Sequence, residues 1–511
     1  MTPPWVPAPQ KSAPPQQKKF FLEQQMTTTN RSSKNGQIKK TRTGPTCAAI
    51  ALMLVGAAAL AAPLAVQNGR FVDPQGGDIV LRGFNLSGAH KVPPFLVNQD
   101  PQLFGKLTKL GVNVVRLQFN WEAFEPQPGV YDENYLDNYA NVVARAAASQ
   151  VYVLVDIHQD GFSRWALDGC GEGFPQWAMA PGVRQSPPDN GTACESWPVK
   201  VLLQKAEQAT LVDHLITPGT LAYERYMALL GRLSERFAKT SNVVGYDLYN
   251  EPATILDTVR LLQFYQAGAK RVRTFHQDAI VFIEPEARAG LCLTPTPLAS
   301  IESTGISNAV YAPHYYDILT TTTGLLPLIS YKSCAQTQRA LATKWGAGYF
   351  LGEFGVKPKG SFVPFYIDSI YTEMERAGSS GTQWNYTGEW TSTTLDGWNG
   401  ENLSVVDDKG QLRANFRPRP YVQRTAGKYG EWFSQGFALT GQCLARRYRW
   451  DHEPAKGSTE IFFPVSCLAG RNAPVIETLS AHGTAACRWI ADKQLVRCSG
   501  SHAEPVTVKL N

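Results

Sequence analysis

The stretch "VVGYDLYNEP" (residues 243–252) begins as an apolar run and ends in Asn250 and Glu251, polar residues that a buried strand does not readily carry. Longer segments such as "LDNYANVVARAAAS" and "YERYMALLGRLSERFAKT" have apolar residues at helical spacing. They alternate with seven other short runs in which apolar residues also come first and polar or aromatic residues last: residues 78–88, 113–121, 151–160, 279–287, 308–317, 348–355 and 381–390. Residues 243–252 are therefore predicted to form the fourth of eight strands.

Eight strands in alternation with helices predict an α/β fold, a (β/α)8 TIM barrel over residues 66–425. A doubly wound sheet is the alternative, but no GxGxxG follows the first run. After residue 425 short strand-like runs such as "ARRYRWD" and "PVTVKL" are separated by turn residues. Residues 426–511 are therefore predicted to form a small C-terminal antiparallel β-sandwich domain.

The polar ends of the eight runs indicate where the chemistry lies. In a parallel barrel all carboxyl ends open onto one face, which is where barrel enzymes build their active sites. Glu251 ends the fourth run and Glu353 the seventh; these strands are not neighbours, so the two carboxylates are expected to face each other across the mouth. Two such carboxylates are the groups that cleave a glycosidic bond, and a separation of about 5 to 5.5 Å gives retention.

At these residues the chain resembles a known family. "YNEP" ends the fourth run, "HYYD" the sixth and "GEFG" the seventh, and the eighth run carries a Trp; the Arg of "NVVRL" and the His of "HQD" complete the set. The combination resembles glycoside hydrolase family 5 over roughly residues 70 to 425. Within it, "DIHQDGFSRW", "GFPQW" and "GWNG" are most similar to the endoglycoceramidase group, which releases an intact oligosaccharide from ceramide.

The resemblance implies a role for each matched residue. Glu251 would be the general acid/base and Glu353 the nucleophile, and Asn250 would hydrogen-bond the 2-hydroxyl of the sugar under attack. Tyr316 and Arg116 would hold the nucleophile ionised and oriented. The remaining positions carried over are His158, Asp160, Trp177 and Trp384, which would line the sugar site, and His314, which would complete the polar shell.

Three further charged residues have two interpretations each. Lys91, in "GAHKVPP" after the first run, either reaches a sugar hydroxyl or is a solvated loop lysine. Glu284 and Glu286 end the fifth run in "IEPEA" and compete with the catalytic pair. Their spacing puts both on one strand face, too close together to flank a sugar bond, so they are assigned to binding or structure.

Other function classes are less well supported. A metal-dependent hydrolase needs clustered ligands such as an HxH pair on an early strand, and the first run offers only "GFNLSG", so neither metal nor cofactor is expected. A noncatalytic sugar- or lipid-binding protein would dispense with a carboxylate, yet both are present. The main rival is an endo-β-glucanase or mannanase, which shares the chemistry but differs in the leaving group.

A ceramide leaving group would need apolar surface beside Glu251. The loops containing "TTTGLLPLIS" and "KGSFVPFY" follow the sixth and seventh runs and carry Leu and Phe residues on the catalytic face. The alternative is that these residues start helices and pack inward. The expected partner is a glycosphingolipid or oligosaccharide, contact with a membrane surface or micelle is compatible with the apolar loops, and we expect a monomer.

The basic charge of the chain lies in its leader. The formal net charge is +6, but residues 1–65 contain eight Lys or Arg and one acid, so the remainder sums to −1 and does not indicate nucleic-acid binding. The basic stretch "KNGQIKKTRTG" precedes the apolar "CAAIALMLVGAAALAA", which predicts a signal peptide cleaved near residues 62–65 and a secreted protein. A retained membrane anchor is the alternative.

Cysteine usage agrees with export. Apart from Cys47 in the apolar run, eight cysteines remain, an even number that indicates disulfides. Eight cysteines allow 105 connectivities. Short loops favour Cys170 with Cys194, Cys292 with Cys334, Cys443 with Cys467 and Cys487 with Cys498.

Overall fold

The structure is a computed structural model that describes residues 62–511, apart from residues 87, 97, 190–193, 254–256, 294–295, 435–442 and 444–445. The predicted signal segment up to residue 61, including Cys47, lies outside the described residues. Within the described ranges, no helix combines the length and the apolar character needed to cross a bilayer. The described residues belong to one compact unit.

Three short strands precede the barrel: β1 (Ala65–Gln67), β2 (Arg70–Val72) and β3 (Asp78–Ile79). Eight parallel strands then close a barrel: β4 (Arg82–Leu86), β5 (Val114–Phe119), β6 (Tyr152–Ile157), β7 (Val243–Asp247), β8 (Ile280–Ile283), β9 (Ala309–Tyr311), β10 (Gly348–Leu351) and β11 (Ser380–Tyr386). They follow one another around the ring in chain order, and β11 pairs with β4. Each of the eight predicted runs contains one of these strands, so the predicted barrel is confirmed.

Helices surround the strands: α1 (Leu103–Lys109), α2 (Trp121–Phe124), α3 (Glu133–Ala148), α4 (Trp197–Leu203), α5 (Lys205–Ile216), α6 (Leu221–Phe237), α7 (Thr258–Arg273), α8 (Ile318–Thr323), α9 (Tyr331–Lys344) and α10 (Val363–Ala377). Local sequence sets their starts, because Asp132 and Thr220 cap α3 and α6 by accepting hydrogen bonds from backbone N–H groups of the first turn. The fifth connection differs: between β8 and β9 the described residues form 3-10 turns at Ala287–Leu291 and Pro297–Ser300 and no α-helix.

The barrel interior consists of an apolar layer below a charged layer. Val114 and Leu154 belong to a buried apolar cluster, and Phe71 of β2 stacks on Phe282 with ring centroids 6.1 Å apart. Residues two apart on a strand face the same side. Three buried charged residues lie two positions after members of the apolar layer. They are Arg116 after Val114, Asp156 after Leu154 and Glu284 after Phe282. The apolar layer thus supports a charged layer that lies beside the catalytic face.

The C-terminal region forms two antiparallel sheets from β12 (Tyr421–Thr425), β13 (Glu431–Ser434), β14 (Arg446–His452), β15 (Thr459–Phe462), β16 (Ile476–Ser480), β17 (Ala486–Ile490), β18 (Leu495–Ser499) and β19 (Glu504–Leu510). One sheet has the order β13-β14-β19-β16, and the other β1-β2-β3-β12-β15-β18-β17. Tyr448 and Trp450 alternate with exposed residues along β14 and pack into the shared core. The predicted sandwich is confirmed, but residues 65–79 also join it, and the proposed boundary at residue 425 stays a prediction.

The cysteine pairing predicted from short loops is confirmed by four disulfides: Cys170–Cys194, Cys292–Cys334, Cys443–Cys467 and Cys487–Cys498. The first joins two parts of the long connection after β6, and the second fastens the 3-10 segment after β8 to α9. Cys487–Cys498 joins β17 to β18, and Cys443–Cys467 fastens the residues before β14 to the 3-10 turn Val465–Cys467. Two disulfides therefore restrain connections of the barrel that are long or lack an α-helix.

Arg419 fastens the segment before β12 to the barrel. Its guanidinium donates to Asp368 at 2.9 Å and to Glu375 at 2.5 Å, both on α10, and to the hydroxyl of Thr372 at 3.2 Å. Arg419 and both carboxylates are buried. Removing one partner of a buried ion pair leaves the other charge uncompensated, which is strongly destabilising. A substitution of Arg419 therefore tests how much this contact stabilises the attachment of the segment to α10.

We expect Arg419→Ala to lower the free energy of unfolding by about 3–5 kcal/mol, because it leaves two buried carboxylates without their cation. Urea unfolding followed by tryptophan fluorescence measures this change. The control is Arg497→Ala, whose partner Glu460 lies 2.9 Å away in a partly exposed pair and should contribute about 0–1 kcal/mol. Equal effects of the two substitutions would contradict the role assigned to Arg419.

Candidate active site

Arg116 lies at the centre of the charged layer and is fully buried. It ends in a planar guanidinium with five N–H donors. Its hydrogen-bond partners are Asp247 (3.0 Å), Asn85 (3.1 Å), Glu353 (2.8 Å), Asp156 (2.8 Å), Asn250 (2.8 Å) and Glu284 (2.9 Å). One side chain thus orients groups from five barrel strands or the residues that follow them.

Glu353 follows β10 and is held through both carboxylate oxygens. Oε1 accepts from Arg116, and Oε2 accepts from the hydroxyl of Tyr316 at 2.9 Å. Burial raises the pKa of Glu353, whereas the cations His314 and Arg116 act to lower it. The carboxylate is therefore fixed in direction and depends on neighbouring positive charge to stay ionised.

Glu251 lies across the mouth, just beyond β7. Its backbone has a φ of 39°, in the left-handed region, and its N–H donates to Glu284 Oε2 at 2.8 Å. Strained backbone of this kind is frequent at functional sites. Its side chain is 20% exposed, compared with 6% for Glu353, so it is the more accessible of the two carboxylates. An oxygen of Glu251 lies within 4.8 Å of an oxygen of Glu353, close to the separation typical of retaining glycosidases.

His314 lies between the two carboxylates. Its Nδ1 is 2.7 Å from Glu251 Oε1 and 3.5 Å from Glu353 Oε2, and its Nε2 is 3.2 Å from Glu284. Burial acts to lower the pKa of His314, but these three carboxylates raise it well above the ordinary value. Only glycine fits beside the ring, since a Cβ on Gly352 would lie 2.8 Å from it. The "GEFG" motif therefore supplies both a carboxylate and room for its cationic neighbour.

A second cluster lies beside the first. Lys91 is buried, not solvated: its Nζ donates to Asp160 at 2.6 Å and lies 4.6 Å from the ring centre of Trp384. His158 stacks on Trp384 with centroids 5.2 Å apart and contacts Asp156 at 2.8 Å. Asp156 also accepts from Arg116, so one carboxylate connects the two clusters.

The other predicted residues have different outcomes. Asn250 already accepts from Arg116 and donates to the Gln159 carbonyl at 3.0 Å, which leaves one amide hydrogen for a ligand. The ring of Trp177 is partly exposed. Its indole N–H donates to the Glu125 carbonyl at 3.0 Å, and its ring packs against the core. Its predicted contact with sugar stays a prediction.

Sequence reasoning missed several charged and aromatic members of the site: Asp156, Asp247, Glu172, Trp398 and Glu401. Asp156 and Asp247 lie inside apolar runs. Because a buried acid needs a cation beside it, their position in such runs was the signal that could have identified them as partners of Arg116. Glu172 and Glu401 come from loops and lie 3.9 and 3.8 Å from Lys91. Burial raises the pKa of Glu172 to about 8 and that of Glu401 to about 7. Asp160 is thus the ionised partner of Lys91.

Glu284 and Glu286 have separate surroundings. Glu284 contacts Arg116, His314 and the backbone of Glu251, so it supports both carboxylates of the pair. Glu286 instead accepts a hydrogen bond from Arg288. Neither is placed opposite Glu353 in the way that Glu251 is. The assignment of Glu284 and Glu286 to binding or structure agrees with these contacts.

Among the residues that the structure describes, two groups have atoms close enough to hold a metal ion: His158, Asp160 and Glu172, and Glu251, His314 and Glu353. In the first, the Lys91 ammonium already contacts Asp160. In the second, both oxygens of Glu353 already accept hydrogen bonds. Protein cations therefore supply the positive charge that a metal would bring.

We expect His314→Gln to raise the pKa of Glu353, because an ionised carboxylate is less stable without the adjacent cation. Glu353 would then take up a proton at a higher pH than in the unsubstituted protein. Carbon-13 NMR of the side-chain carboxyl, assigned with Glu353→Gln, measures the titration. His214→Gln, on the outer helix α5, is the control and should leave it unchanged. A lower pKa of Glu353 in His314→Gln would contradict the charge assigned to His314.

Comparison with known sequences agrees with this geometry. Endoglycoceramidase I of Rhodococcus hoagii is 34% identical over 185 residues, which are 35% of this chain and 35% of that protein. The endoglycoceramidase of Cyanea nozakii is 26% identical over 251 residues, covering 42% of this chain and 49% of the relative. The matches thus span about a third to a half of the length of these relatives.

Solved structures share the fold. The endo-glycoceramidase II of Rhodococcus sp. superposes with a TM-score of 0.69 at 24% identity, over 86% of this chain and 98% of that chain. The structure of an endogalactoceramidase gives 0.67 at 20% identity, over 88% and 100%. A family model described as Cellulase (glycosyl hydrolase family 5) matches residues 72–389, well over half of the sequence. The chain therefore belongs to glycoside hydrolase family 5.

Proposed function

We propose that this protein is a retaining, endo-acting glycoside hydrolase that cleaves the β-glycosidic bond between oligosaccharide and ceramide. The observation that carries the proposal is the approach of Glu251 and Glu353 within 4.8 Å, with Arg116 and Tyr316 on the second carboxylate. In the first step Glu353 attacks the anomeric carbon while Glu251 protonates the glycosidic oxygen. The bond to the aglycone breaks, ceramide leaves, and a glycosyl ester with Glu353 forms.

In the second step Glu251, now a carboxylate, takes a proton from water. The oxygen of that water attacks the anomeric carbon, the ester bond to Glu353 breaks, and the oligosaccharide leaves with its original configuration. Arg116 and Tyr316 hold the oxygens of Glu353 in a fixed direction, which lowers the reorganisation needed in each step. Lys91, Asp160, His158 and Trp384 are the groups proposed to bind the sugar.

The choice of a lipid aglycone rests on two supports. Several relatives bear the name endoglycoceramidase, and one structure of the Rhodococcus sp. protein is a complex with ganglioside GM3. In this chain, a groove of about 540 Å³ runs along α9 beside the 3-10 segment, with Leu293, Ile329 and Leu341 in its lining. The 3-10 segment beside the groove is tied to the strand end by the Tyr316 N–H, which donates to the Gly290 carbonyl. Such a groove suits a hydrocarbon chain.

A secreted endo-β-glucanase or mannanase is the second candidate, favoured by the description of the family model as Cellulase. The two candidates differ in the leaving group. Purified protein incubated with a fluorescent ganglioside and, separately, with soluble β-glucan distinguishes them. Release of intact glycan from the ganglioside alone is the expected result. Activity on glucan alone would refute the proposal and select the second candidate.

We also propose that the protein is exported and acts as a monomer. Four disulfides support export, because they persist in oxidising compartments. Whether the apolar leader is cleaved or retained is decided by the N-terminal sequence of the protein recovered from the expressing cells. Light scattering of the purified protein measures the oligomeric state, and a mass near 56.2 kDa or that of the chain lacking its leader is expected.

We expect Glu353→Gln to lower kcat by about 10⁴-fold or more, because the variant has no nucleophile. Glu286→Gln is the matched control, since it alters a buried carboxylate of the same face that bonds to Arg288 and not to the pair. Its kcat should stay within about tenfold of the wild-type value. Initial rates on an activated aryl β-lactoside, with circular dichroism to verify folding, measure both. Similar rates for wild type and Glu353→Gln would refute the assignment.

Azide distinguishes the two carboxylates. In Glu353→Gly azide replaces the nucleophile directly and should give the α-glycosyl azide, while in Glu251→Ala it attacks the glycosyl-enzyme and should give the β-glycosyl azide. Proton NMR of the products from the activated aryl glycoside identifies the anomer. The reverse pairing would exchange the two roles.

A further inference from the structure

Exposed apolar side chains of the barrel concentrate at its catalytic face. Among the described barrel residues, the exposed large apolar side chains lie in segments that follow the carboxyl ends of strands, except Phe275, which follows α7. Five of them belong to two loops and the helical turn that follows the second: Leu325 (51% exposed), Leu326 (47%), Leu328 (59%), Phe362 (39%) and, in the first turn of α10, Phe365 (40%). Apolar groups gathered on one face of a protein mark an interaction surface.

The two loops touch each other. A Cβ on Gly324 would lie 3.0 Å from the Lys359 carbonyl oxygen, and one on Gly360 would lie 3.1 Å from the Gly324 carbonyl oxygen. Both glycines have a positive φ. The five apolar side chains therefore stand on adjoining stretches of backbone, and we name this group the apolar rim.

The rim is basic. Segments 318–332 and 354–367 contain Lys332, Lys357 and Lys359, all exposed, and no Asp or Glu. Lys357 lies 3.7 Å from Glu195, an acid that precedes α4. Helix α4 has no buried residue among Trp197–Leu203, and Leu202 and Leu203 on it are 54% and 79% exposed. Helix α4, which begins two residues after Glu195, thus carries further exposed apolar side chains.

The rim borders the site of the chemistry. Asp317 directly follows Tyr316, and its carboxylate accepts from the Ile329 N–H at 3.0 Å, which ties the end of the loop carrying Leu325, Leu326 and Leu328 to the strand end. A flat lipid surface in contact with the rim would therefore lie beside the opening onto Glu251 and Glu353.

We propose that the apolar rim docks onto a lipid bilayer that carries anionic headgroups. The proposal rests on the proposed function, because a ceramide-linked glycan is presented by such a surface. Leu and Phe side chains would enter the interface between headgroups and acyl chains, and the three lysines would contact the headgroups. A second copy of the chain suits the rim less well, because Lys332 and Lys359 on both copies would face each other, and segments 318–332 and 354–367 offer them no acid.

The test is cosedimentation of the full chain with vesicles that contain no glycolipid. Phosphatidylcholine vesicles are compared with vesicles of phosphatidylcholine and phosphatidylglycerol. We expect wild type to bind the anionic vesicles more strongly, and the triple variant Leu325→Ser, Leu326→Ser, Phe365→Ser to bind them at least about tenfold more weakly. The matched control replaces Phe433 and Leu479, which are 50% and 51% exposed in the C-terminal sheets, by Ser. It should bind within about twofold of wild type.

Three results would overturn the proposal: no binding of wild type to either vesicle, equal loss in the control variant, or wild-type dimers that the triple variant no longer forms. Hydrolysis separates this proposal from the catalytic one. The triple variant should keep its kcat/KM on the soluble aryl β-lactoside and lose activity on ganglioside in vesicles. Vesicle binding without hydrolysis of any glycolipid would refute the proposed function alone, and hydrolysis of detergent-dispersed ganglioside without vesicle binding would refute docking alone.

Discussion

The buried guanidinium of Arg116 is the constraint on which the rest of the site depends. Removing a cation from water costs several kcal/mol, and the cost is offset only where oxygen acceptors surround it with good geometry. Arg116 has four carboxylates and two amide oxygens around it. Because a guanidinium is planar and its donors are fixed in direction, each acceptor is fixed in turn. The direction of Glu353 is one result, and the position of Asn250 is another.

This arrangement explains the two layers of the barrel. The charged layer adds little to stability, since its attractions largely repay desolvation. The apolar layer beneath it, where Phe71 packs against Phe282 and Phe350, gains free energy from burial. The N-terminal strand β2 supplies Phe71 and also belongs to the C-terminal sandwich sheet. The sandwich is thus joined to the apolar layer that stabilises the barrel. The catalytic face of the barrel is left open.

Much of the fold could be predicted from the sequence, because the patterns that determine it involve residues close together in the chain. Each barrel strand is a short apolar run with polar residues at its end, and the disulfides join cysteines separated by 11 to 42 positions. Nonlocal features were not accessible. The pairing of β3 with β12 joins residues far apart in the chain, and its two residues have no pattern of their own. In the sequence Asp156 and Asp247 only interrupt apolar runs, and the structure shows that both accept hydrogen bonds from Arg116.

The order of strands around the barrel separates the two halves of the mouth. The buried polar and aromatic cluster of Lys91, His158 and Trp384 comes from the ends of β4, β6 and β11, while the apolar rim and the exposed Leu293 follow β8, β9 and β10. Glu251 follows β7 and Glu353 follows β10, at the two boundaries between these halves. A sugar is bound by hydrogen bonds and ring faces, and a hydrocarbon by apolar surface, so each half suits a different part of a glycolipid. A polysaccharide would present sugar to both halves, and the apolar half would then have no function. The asymmetry of the mouth therefore favours a substrate that is itself divided at the bond to be cleaved.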